Sequence, residues 1–438
     1  MNIIIAGAGK VGFNLAKTLS IGHNVTIIDK NSEALHRIQE SLDIMPLRGD
    51  VEDSQTYVNF TDKDIDLFIA VTNLDNVNLI SVLMAEAVLN IDRKFVRLQK
   101  HFFHGSDIKQ RLNIDKLIFP IQLTSKAISS LLQYPKANNI KFFKYTDYKL
   151  ISVMVSSRFI PQSFQSKNFN IVGIERKKDF FIPMDESEEI LPNDLVYFFG
   201  LEEEIGEVCQ QLELDTNTEI QRCVVFGGEE LGVSIARELI NVGRDVKLVE
   251  EDLDLCEHAD EALGGKVSII NSKYRSHDIF EDEDLDSADI FIAATNNDEF
   301  NIIKCLEAKD SGIKKVVAIN NEMEYYNLMH SLGIIVVRGP KISAYNTIIE
   351  EVSSTGVVIQ KSYCGAKAVI FMRKVFRSSG LVNKKVKPFS VEKSRIFYMR
   401  DEHVYPLDEK IILEENDLIV GFCGVKESAK VKQWIYEL

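Results

Sequence analysis

The chain of 438 residues is long enough for two to four domains, and its 45% hydrophobic content is ordinary for a globular protein. No apolar run approaches the ~20 residues that a membrane-spanning helix needs. The net charge of −15 argues against nucleic acid and anionic lipid as partners, because both would be repelled, and it suits a partner with a basic surface.

A strand, a glycine-rich turn and a helix open the chain. Residues 3–5 form an apolar run that predicts a buried parallel strand, and residues 7–12 (GAGKVG) match the pattern G-x-G-x-x-G. The apolar positions that follow recur at helical spacing. A second strand at 25–28 ends in Asp29, 22 positions after Gly7. This order of elements predicts a Rossmann-type dinucleotide-binding unit.

Each residue of this motif has a physical role. Gly7 permits the tight turn, Gly9 lets the backbone approach a pyrophosphate, and Gly12 lets the helix pack on the strand. The helix start supplies free N–H groups and a partial positive charge. Asp29 accepts hydrogen bonds from ribose hydroxyls and repels a 2′-phosphate, which favours NAD over NADP. The alternative is a glycine-rich turn that serves only packing.

The chain is an internal duplication. Gly7 and Gly227 lie 220 residues apart. "AVTNLDNVNLI" at 70–80 recurs as "AATNNDEFNII" at 293–303, and "LPNDLVYFFG" at 191–200 recurs as "EENDLIVGFCG" at 414–424. In each half, alternating strands and helices give way to short strands and turns, closed in the first half by a helix at 202–212. We predict two Rossmann-like doubly wound parallel sheets, each followed by a small α+β module, with boundaries at 1–135, 141–215, 221–355 and 363–438.

The sequence resembles the RCK (regulator of potassium conductance, or KTN) family. The resemblance rests on "IIIAGAGKVG", "IIDKN", "LRGDVEDS", "FIAVTNLDNVNLI" and "VRLQ", and on a "V-x-I-x-R" strand, a proline and "PNDLV" further along. It implies Rossmann N-lobes and small C-lobes, and the tandem arrangement implies a cytosolic regulatory subunit of a bacterial Trk-type potassium transporter. The implied ligand is NAD(H), with ATP or ADP as further candidates.

The resemblance also implies a set of nucleotide contacts. The glycine turn would surround the pyrophosphate, and the remaining residues would contact the ribose, the adenine side and the covering loop. The set comprises Gly7, Ala8, Gly9, Lys10, Val11, Asp29, Asp50, Val51, Thr72, Asn73 and Arg97. The residues that follow the later strands lie at strand carboxyl ends, where open α/β sheets bind ligands.

Several of these residues have plainer interpretations. Asp50 could be a turn residue, and Asn73 and Asp75 could cap the following helix. Arg97 could form a structural ion pair, and Lys10 could point into water instead of towards a phosphate.

The second glycine turn differs where a phosphate would bind. Gly227 and Gly232 keep the turn and the helix packing. The substituted positions, paired by counting along the repeat, are Gly9 to Glu229, Lys10 to Glu230, Asp29 to Glu250, Gly49–Asp50 to Asn271–Ser272, and Arg97 to Ala318. We predict a second N-lobe that binds nucleotide weakly or not at all. The alternative is that Glu229 and Glu230 point outward and a nucleotide still binds.

The alternative function is an NAD-dependent oxidoreductase. That activity needs a general acid or base beside the nicotinamide, and the eight histidines show no such placement. The six cysteines lack CxxC or Cys/His spacing, which predicts reduced structural thiols and no metal site. We therefore expect a regulator and not an enzyme.

The expected assembly and location follow mostly from the resemblance. It implies a homo-oligomer, a dimer of dimers forming a tetrameric ring, peripheral at the inner face of the cell membrane through its transporter partner. Because the chain begins directly with a strand, we expect no secretory leader. An amphipathic helix at 120–135 and its partial copy at 340–352 would cross to a neighbouring lobe, or pack on their own sheets.

Overall fold

The computed structural model describes residues 1–42, 44–103, 105, 107–143, 145–163, 169–177, 179–183, 188–214, 219–273, 279–353, 358–389, 391, 393–407 and 409–438. The chain divides into two compact units. The first comprises Met1–Ser125 and Arg338–Ile349, and the second comprises Lys126–Val337 and Glu350–Leu438. Within the described residues, no helix is both long and apolar enough to cross a membrane.

The first unit contains a six-stranded parallel sheet in the order β3-β2-β1-β4-β5-β6. Its strands are β1 (Asn2–Ala6), β2 (Asn24–Asp29), β3 (Met45–Arg48), β4 (Ile65–Ala70), β5 (Ile91–Arg97) and β6 (Lys116–Ile118). Its helices are α1 (Lys10–Leu19), α2 (Ser32–Ser41), α3 (Asp75–Glu86) and α4 (Ile108–Arg111), with 3₁₀ turns at Ser54–Phe60 and His101–Phe103. The strand order reverses beside β1, which leaves a crevice at the carboxyl ends of β1 and β4.

Burial explains why the two central strands of this sheet, β1 and β4, are mostly apolar. Ile4, Phe68 and Val96 are buried in one hydrophobic cluster on neighbouring strands, with Leu79 of α3 packed into the same cluster. Both faces of a parallel sheet are covered by helices, so its strands show no alternation of polar and apolar residues.

The second unit contains a sheet with the same strand order, β16-β15-β14-β17-β18-β19. Its strands are β14 (Arg222–Phe226), β15 (Asp245–Glu250), β16 (Ser268–Asn271), β17 (Ile290–Ala293), β18 (Lys315–Asn320) and β19 (Ile335–Arg338). The accompanying helices are α7 (Glu230–Asn241), α8 (Leu253–Leu263), α9 (Ile279–Asp282), α10 (Asp298–Asp310) and α11 (Tyr326–Ser331), with a 3₁₀ turn at Met323–Tyr325. The repeated strand order confirms the duplicated doubly wound fold.

Two five-stranded antiparallel sheets complete the second unit, in the orders β11-β10-β13-β8-β7 and β20-β21-β26-β23-β24, with two-stranded sheets β12-β9 and β22-β25. The first module comprises β7 (Asn139–Lys141), β8 (Lys149–Met154), β9 (Gln162–Ser163), β10 (Phe169–Arg176), β11 (Asp179–Phe181), β12 (Glu189–Ile190), β13 (Leu195–Gly200) and α6 (Glu202–Leu212). The second comprises β20 (Val358–Tyr363), β21 (Ala368–Lys374), a 3₁₀ turn (Arg377–Ser379), β22 (Lys385–Val386), β23 (Ser394–Arg400), β24 (His403–Pro406), β25 (Ile411–Ile412), β26 (Leu418–Gly424) and α13 (Ser428–Glu437). Tyr197, Phe199, Tyr363 and Phe422 place both sheets in one core.

A buried aspartate paired with a partly exposed arginine accounts for the repeated "NDL" sequence. Arg176 binds Asp194 through Nε–Oδ1 (2.9 Å) and Nη2–Oδ2 (2.8 Å), and Arg400 binds Asp417 in the same way at 2.9 and 2.7 Å. Each Asp also accepts a backbone N–H three residues before it. The bidentate geometry fixes the strand that carries the arginine to the turn that carries the aspartate.

Two helices follow the last strands of the Rossmann sheets, α5 (Pro120–Gln133) and α12 (Pro340–Ser353). The first part of α12 belongs to the compact unit of the first sheet, not to that of the second sheet that precedes it in the chain. There, Thr124 donates to the carbonyl of Arg338 (3.0 Å), and the hydroxyls of Thr18 and Tyr345 lie 2.8 Å apart. For α12, the structure therefore supports the prediction that the helix crosses to a neighbouring lobe, and not the alternative that it packs on its own sheet.

Candidate functional site

Three glycines of the first turn differ in what the fold requires of them. Gly7 has a φ of +111°, and a Cβ there would lie 2.9 Å from the backbone nitrogen of Thr72. A Cβ on Gly12 would lie 1.9 Å from the carbonyl oxygen of Gly7. Gly9 has a φ of −71°, and a Cβ there would meet nothing within 4 Å. Neither conformation nor packing requires glycine at position 9, so the open space suits a group from outside the chain.

Asp29 lies at the carboxyl end of β2 and supports the turn. Its Oδ2 accepts the N–H of Ala8 at 2.7 Å, and its Oδ1 accepts the N–H of Asn31 at 2.8 Å. Each carboxylate oxygen can accept a second bond, so both can still receive a ribose hydroxyl. Helix α1 begins after Gly9 without a side-chain cap, and the positive end of its dipole lies at this turn.

The loop after β4 is held by its own polar side chains. Asn78 accepts the N–H of Thr72 at 2.8 Å and donates to the carbonyls of Thr72 (3.1 Å) and Arg97 (2.9 Å). Asp75 is buried and accepts the N–H groups of Gln99 and Lys100, both at 2.8 Å. Asp75 therefore anchors the loop after β5, and the residue at the N-cap of α3 is Leu74. The interpretation of Asn73 and Asp75 as helix caps is wrong.

A cavity of about 180 Å³ opens between these loops. It brings together six predicted site residues: Gly7, Asp29, Asp50, Val51, Thr72 and Asn73. Ala8, Gly9, Lys10, Val11 and Arg97 are not part of its lining. The cavity has five further lining residues that were not predicted from the sequence, namely Ile28, Lys30, Gly49, Leu74 and Val77. Ile28 and Lys30 flank the predicted residue Asp29, so their place in the lining could have been predicted from the sequence. Nothing in the sequence around Val77 on α3 indicated that it lines the cavity.

Two of the predicted residues have defined structural environments. Asp50 lines the cavity and also accepts the N–H of Glu52 at 3.0 Å, so it is a turn residue as well. Arg97 ends β5 with only 4% of its surface exposed, and its Nε is buried without a hydrogen-bond partner. Burial lowers the pKa of the Arg97 guanidinium, and the charge of Asp75 opposes that shift. Within the described part of the chain, no carboxylate forms the ion pair considered for Arg97.

The second turn keeps the glycines that the fold requires. Gly227 has a φ of +115°. A Cβ on Gly232 would lie 1.7 Å from the carbonyl oxygen of Gly227. Glu229, at the position of Gly9, is exposed and accepts a hydrogen bond from the side chain of Asn296. Because Asn296 is the repeat of Asn73, this bond spans the mouth of the crevice that is open in the first sheet.

Glu250 takes the place of Asp29 with a different environment. It is only 3% exposed, and it accepts the N–H groups of Gly228 (2.5 Å), Glu251 (2.7 Å) and Asp252 (3.0 Å). A Cβ on Gly228 would lie 2.8 Å from the Glu250 side chain, so the longer acid occupies the space of the methyl group that Ala8 has in the first turn. Burial and three backbone donors leave this carboxylate little access to a ribose.

Sheet register corrects two residue pairings made by counting. Ala70 pairs with Val96, and Ala293 pairs with Ala318, so the equivalent of Arg97 is Ile319 and not Ala318. Asp29 pairs with Arg48, and Glu250 pairs with Asn271, so the equivalents of Gly49 and Asp50 are Ser272 and Lys273. The counts were wrong because loops of different length precede these strands. The guanidinium and the second acid are still absent from the second copy.

Comparison with known families identifies this arrangement. Residues 3–120 and 223–340 both match the model of the TrkA-N domain, which covers the two Rossmann sheets. The chain belongs to the TrkA-N domain family. The predicted family resemblance is confirmed, and the duplication corresponds to two matched copies of the domain in one chain.

Similar full-length proteins carry the same family name. The "Trk system potassium uptake protein TrkA" of Halomonas elongata is 28% identical over 82% of this chain and 80% of its own length. A "TrkA homolog 2" of Methanosarcina mazei is 24% identical over 96% of this chain and 97% of its own. These TrkA-N relatives are potassium uptake proteins by name, so potassium transport is the process with which the family is associated.

Solved structures share the fold. The GsuK channel bound to NAD superposes with a TM-score of 0.63 at 13% identity, over 100% of this chain and 79% of that chain. The GsuK RCK domain gives a TM-score of 0.61 at 12% identity, over 100% of this chain and 95% of that chain. These similarities confirm the predicted fold class, two Rossmann-like parallel sheets each followed by a small RCK C-lobe.

Proposed function

We propose that this TrkA-N protein is a nucleotide-sensing regulatory subunit that gates potassium uptake by an integral-membrane Trk-type transporter. The observation that carries the proposal is the cavity at the carboxyl ends of β1, β2 and β4, lined by Asp29 and bordered by an uncapped helix start. A carboxylate with free acceptor capacity beside the positive end of a helix suits a ribose joined to phosphates.

The ligand we propose is NAD(H), or alternatively ATP or ADP. The cavity of about 180 Å³ is smaller than the ~300–1,000 Å³ of complete ligand sites, so it suits the nucleoside end. The phosphates would lie over Gly9, where a side chain would otherwise occupy the space. The unpartnered Nε of Arg97 is a buried donor that suits an anionic ligand. Related structures were solved with NAD and with ADP.

We further propose that the second Rossmann sheet binds nucleotide weakly or not at all. Glu229 bonded to Asn296 places a negative charge where the phosphates would lie. The carboxylate of Glu250 is buried on backbone donors instead of facing a ribose. The second sheet would then serve assembly, while the first sheet senses the ligand.

The assembly and the location belong to the same proposal. The chain would form a homo-oligomer, a dimer of dimers in a tetrameric ring of RCK lobes. It would be bound to the cytoplasmic face of the membrane through its transporter partner and would not bind nucleic acid. The proposed lobes are 1–135, 141–215, 221–355 and 363–438. We propose a sensor without catalytic activity, in place of the oxidoreductase alternative.

Calorimetric titration of the full chain with NADH tests the nucleotide proposal. We expect one site per chain, lost in Asp29→Ala and retained in the matched variant Glu250→Ala. Two equal sites would contradict the proposal for the second sheet. If no binding of NADH, ATP or ADP is measured, the sensor proposal fails. If the protein catalysed the reduction of added carbonyl compounds by NADH, the result would instead support the oxidoreductase alternative.

The transporter proposal needs a separate measurement. Potassium uptake into vesicles that contain the Trk-type transporter subunit should depend on this protein, and NADH should change the rate. The same vesicles with Asp29→Ala protein should show uptake that no longer responds to NADH. Uptake that is unchanged by adding the protein would contradict the proposed partner.

A further inference from the structure

A second cavity, of about 260 Å³, lies inside the larger compact unit. One wall consists of residues 135–138 and 154–157, with Glu213, all from the first antiparallel module. The other wall consists of residues 314–316 and 333–335, where β18 and β19 begin. The cavity therefore lies at the amino ends of these strands, opposite the edge where nucleotides bind in open α/β sheets. It is distinct from the nucleotide site and from its degenerate copy.

The lining of this cavity is cationic in a protein that is acidic overall. Lys136, Lys314 and Lys315 line it, and Glu213 is the single acidic residue among the described residues of the lining. The chain as a whole carries a net charge of −15. Such a local excess of lysine raises the potential inside the cavity and attracts anions.

The ammonium groups of Lys315 and Lys136 are held by backbone carbonyls, and among the described residues neither forms an ion pair. Lys315 is 3% exposed and donates to the carbonyls of Pro135 (2.5 Å) and Ala137 (3.3 Å). Lys136 donates to the backbone carbonyl of Glu213 at 2.5 Å. An ammonium group has three donors, so one N–H of Lys315 and two of Lys136 have no acceptor among the described residues. The charge of the buried Glu213 acts on Lys315, but among the described residues no carboxylate forms an ion pair with it, so a bound anion would lower the cost of burying this ammonium.

Neutral donors complete the lining. Ser157 and Asn193 also line the cavity, and both are exposed residues whose side chains carry neutral hydrogen-bond donors. Lysines joined by hydroxyl and amide donors are a chemistry that recognises the oxygens of phosphate groups. A phosphate carries close to two negative charges and three terminal oxygens, so it can match both Lys136 and Lys315, whereas a single carboxylate would neutralise only one of them.

We propose that this cavity binds a small metabolite with a terminal phosphate group as a second effector, held between Lys136 and Lys315. Lys136 comes from the first antiparallel module and Lys315 from the second Rossmann sheet, so the ligand would bridge two lobes of the same unit. Its binding would stabilise their present arrangement. The inference goes beyond nucleotide sensing and does not depend on it.

The charge of Lys315 offers a readout specific to this cavity. Burial lowers the pKa of Lys315 to about 7, opposed by the charge of Glu213. Cys209, Lys136, Lys314 and His330 are the other titratable groups near Lys315 or in the lining. A bound phosphate stabilises the charged ammonium, so binding at pH 7.5 should draw protons from the buffer.

The test is calorimetric titration of the full chain with inorganic phosphate, in two buffers of different ionisation enthalpy. The background variant Gly9→Glu is expected to prevent phosphate binding at the start of α1, because its carboxylate would repel the anion. In that background we expect saturable phosphate binding with net proton uptake. Lys315→Met and Lys136→Met should each weaken it about tenfold or more, because each removes one of two charges that contact the anion. Without the Gly9→Glu change, both variants should bind NADH as the wild type does.

Several results would overturn the inference. Phosphate that binds equally well to the background variant and to both lysine variants would show that the cavity is not the site. An absence of binding in the Gly9→Glu background would have the same meaning. Acetate that binds as tightly as phosphate would contradict the assignment of a phosphate group. The partly exposed Lys136 provides the decisive variant if Lys315→Met does not fold.

Discussion

The substitution Gly9→Glu tests the central difference between the two Rossmann sheets. It places in the first turn the residue that the second turn has at Glu229. The fold should tolerate it, because Gly9 has an ordinary φ of −71° and a Cβ there would meet nothing within 4 Å. Loss of glycine at the N-cap should cost under about 1 kcal/mol of folding stability.

The effect on binding can be worked from the second sheet. Glu229 reaches Asn296, so the new carboxylate should reach Asn73, across the mouth of the cavity. A carboxylate about 4 Å from a phosphate charge costs ~1 kcal/mol in bulk water and ~4 kcal/mol at an effective dielectric of 20. The Kd for NADH should therefore rise about 5- to 1,000-fold. The helix start contributes ~0.3–1 kcal/mol of attraction in wild type and variant alike, so it does not change this difference.

Calorimetric titration with NADH measures the change, and two variants separate charge from size. Gly9→Gln has the same length without the charge, and Gly9→Ala adds only a Cβ. Because the phosphates are proposed to lie over Gly9, we expect Gly9→Ala to bind more weakly than wild type, Gly9→Gln more weakly still, and Gly9→Glu weakest. The gap between Gln and Glu should shrink as the salt concentration rises, because ions screen exposed charges.

Wild-type affinity in Gly9→Glu, with the protein folded, would refute the reasoning. It would show that the phosphates do not approach Gly9, and the charge argument for the second sheet would fail with it. Equal loss in Gly9→Gln and Gly9→Glu would show that steric blocking is the cause and that repulsion contributes little.

Three further predictions concern stability. Gly12→Ala should lower the free energy of unfolding by about 3 kcal/mol in urea denaturation, because its Cβ would clash with a backbone carbonyl, whereas Gly22→Ala, with open space around it, should change it little. Glu175→Gln removes the buried partner of Lys367 and should lower the free energy of unfolding by about 3 kcal/mol, and an unchanged melting temperature would contradict this role. Burial lowers the pKa of Lys315 to about 7, so between this pH and its ordinary pKa the folded protein binds fewer protons at Lys315 than the unfolded chain does. The contribution of Lys315 to the free energy of unfolding should therefore rise over that range, by up to ~1.4 kcal/mol per pH unit. Lys315→Met should remove this rise, and equal pH slopes for variant and wild type would disprove it.

Local pattern carried most of the fold prediction. The helix predicted at 202–212 is α6, and the strand predicted at 25–28 lies within β2 (Asn24–Asp29). These elements are set by periodic burial and by turn residues close in sequence, which a single sequence displays. The role of Asp75 was missed because its partners, Gln99 and Lys100, belong to the loop after another strand.

The sequence by itself determined the duplication, the two glycine turns and the acid at the end of β2. The glycine turns and the acid belong to one short motif, and the duplication is visible because short segments recur in the same order. Only the tertiary structure decided which glycines the fold requires. Gly7 and Gly12 face backbone atoms that the chain brings near, while Gly9 faces open space. The tertiary structure also decided which residue of the second Rossmann sheet corresponds to Arg97. Strands are aligned by their hydrogen-bonded register, which counting residues along the repeat does not reveal. The burial of Lys315 on carbonyls 178 and 180 residues away likewise depends on packing between distant segments, which no local pattern contains.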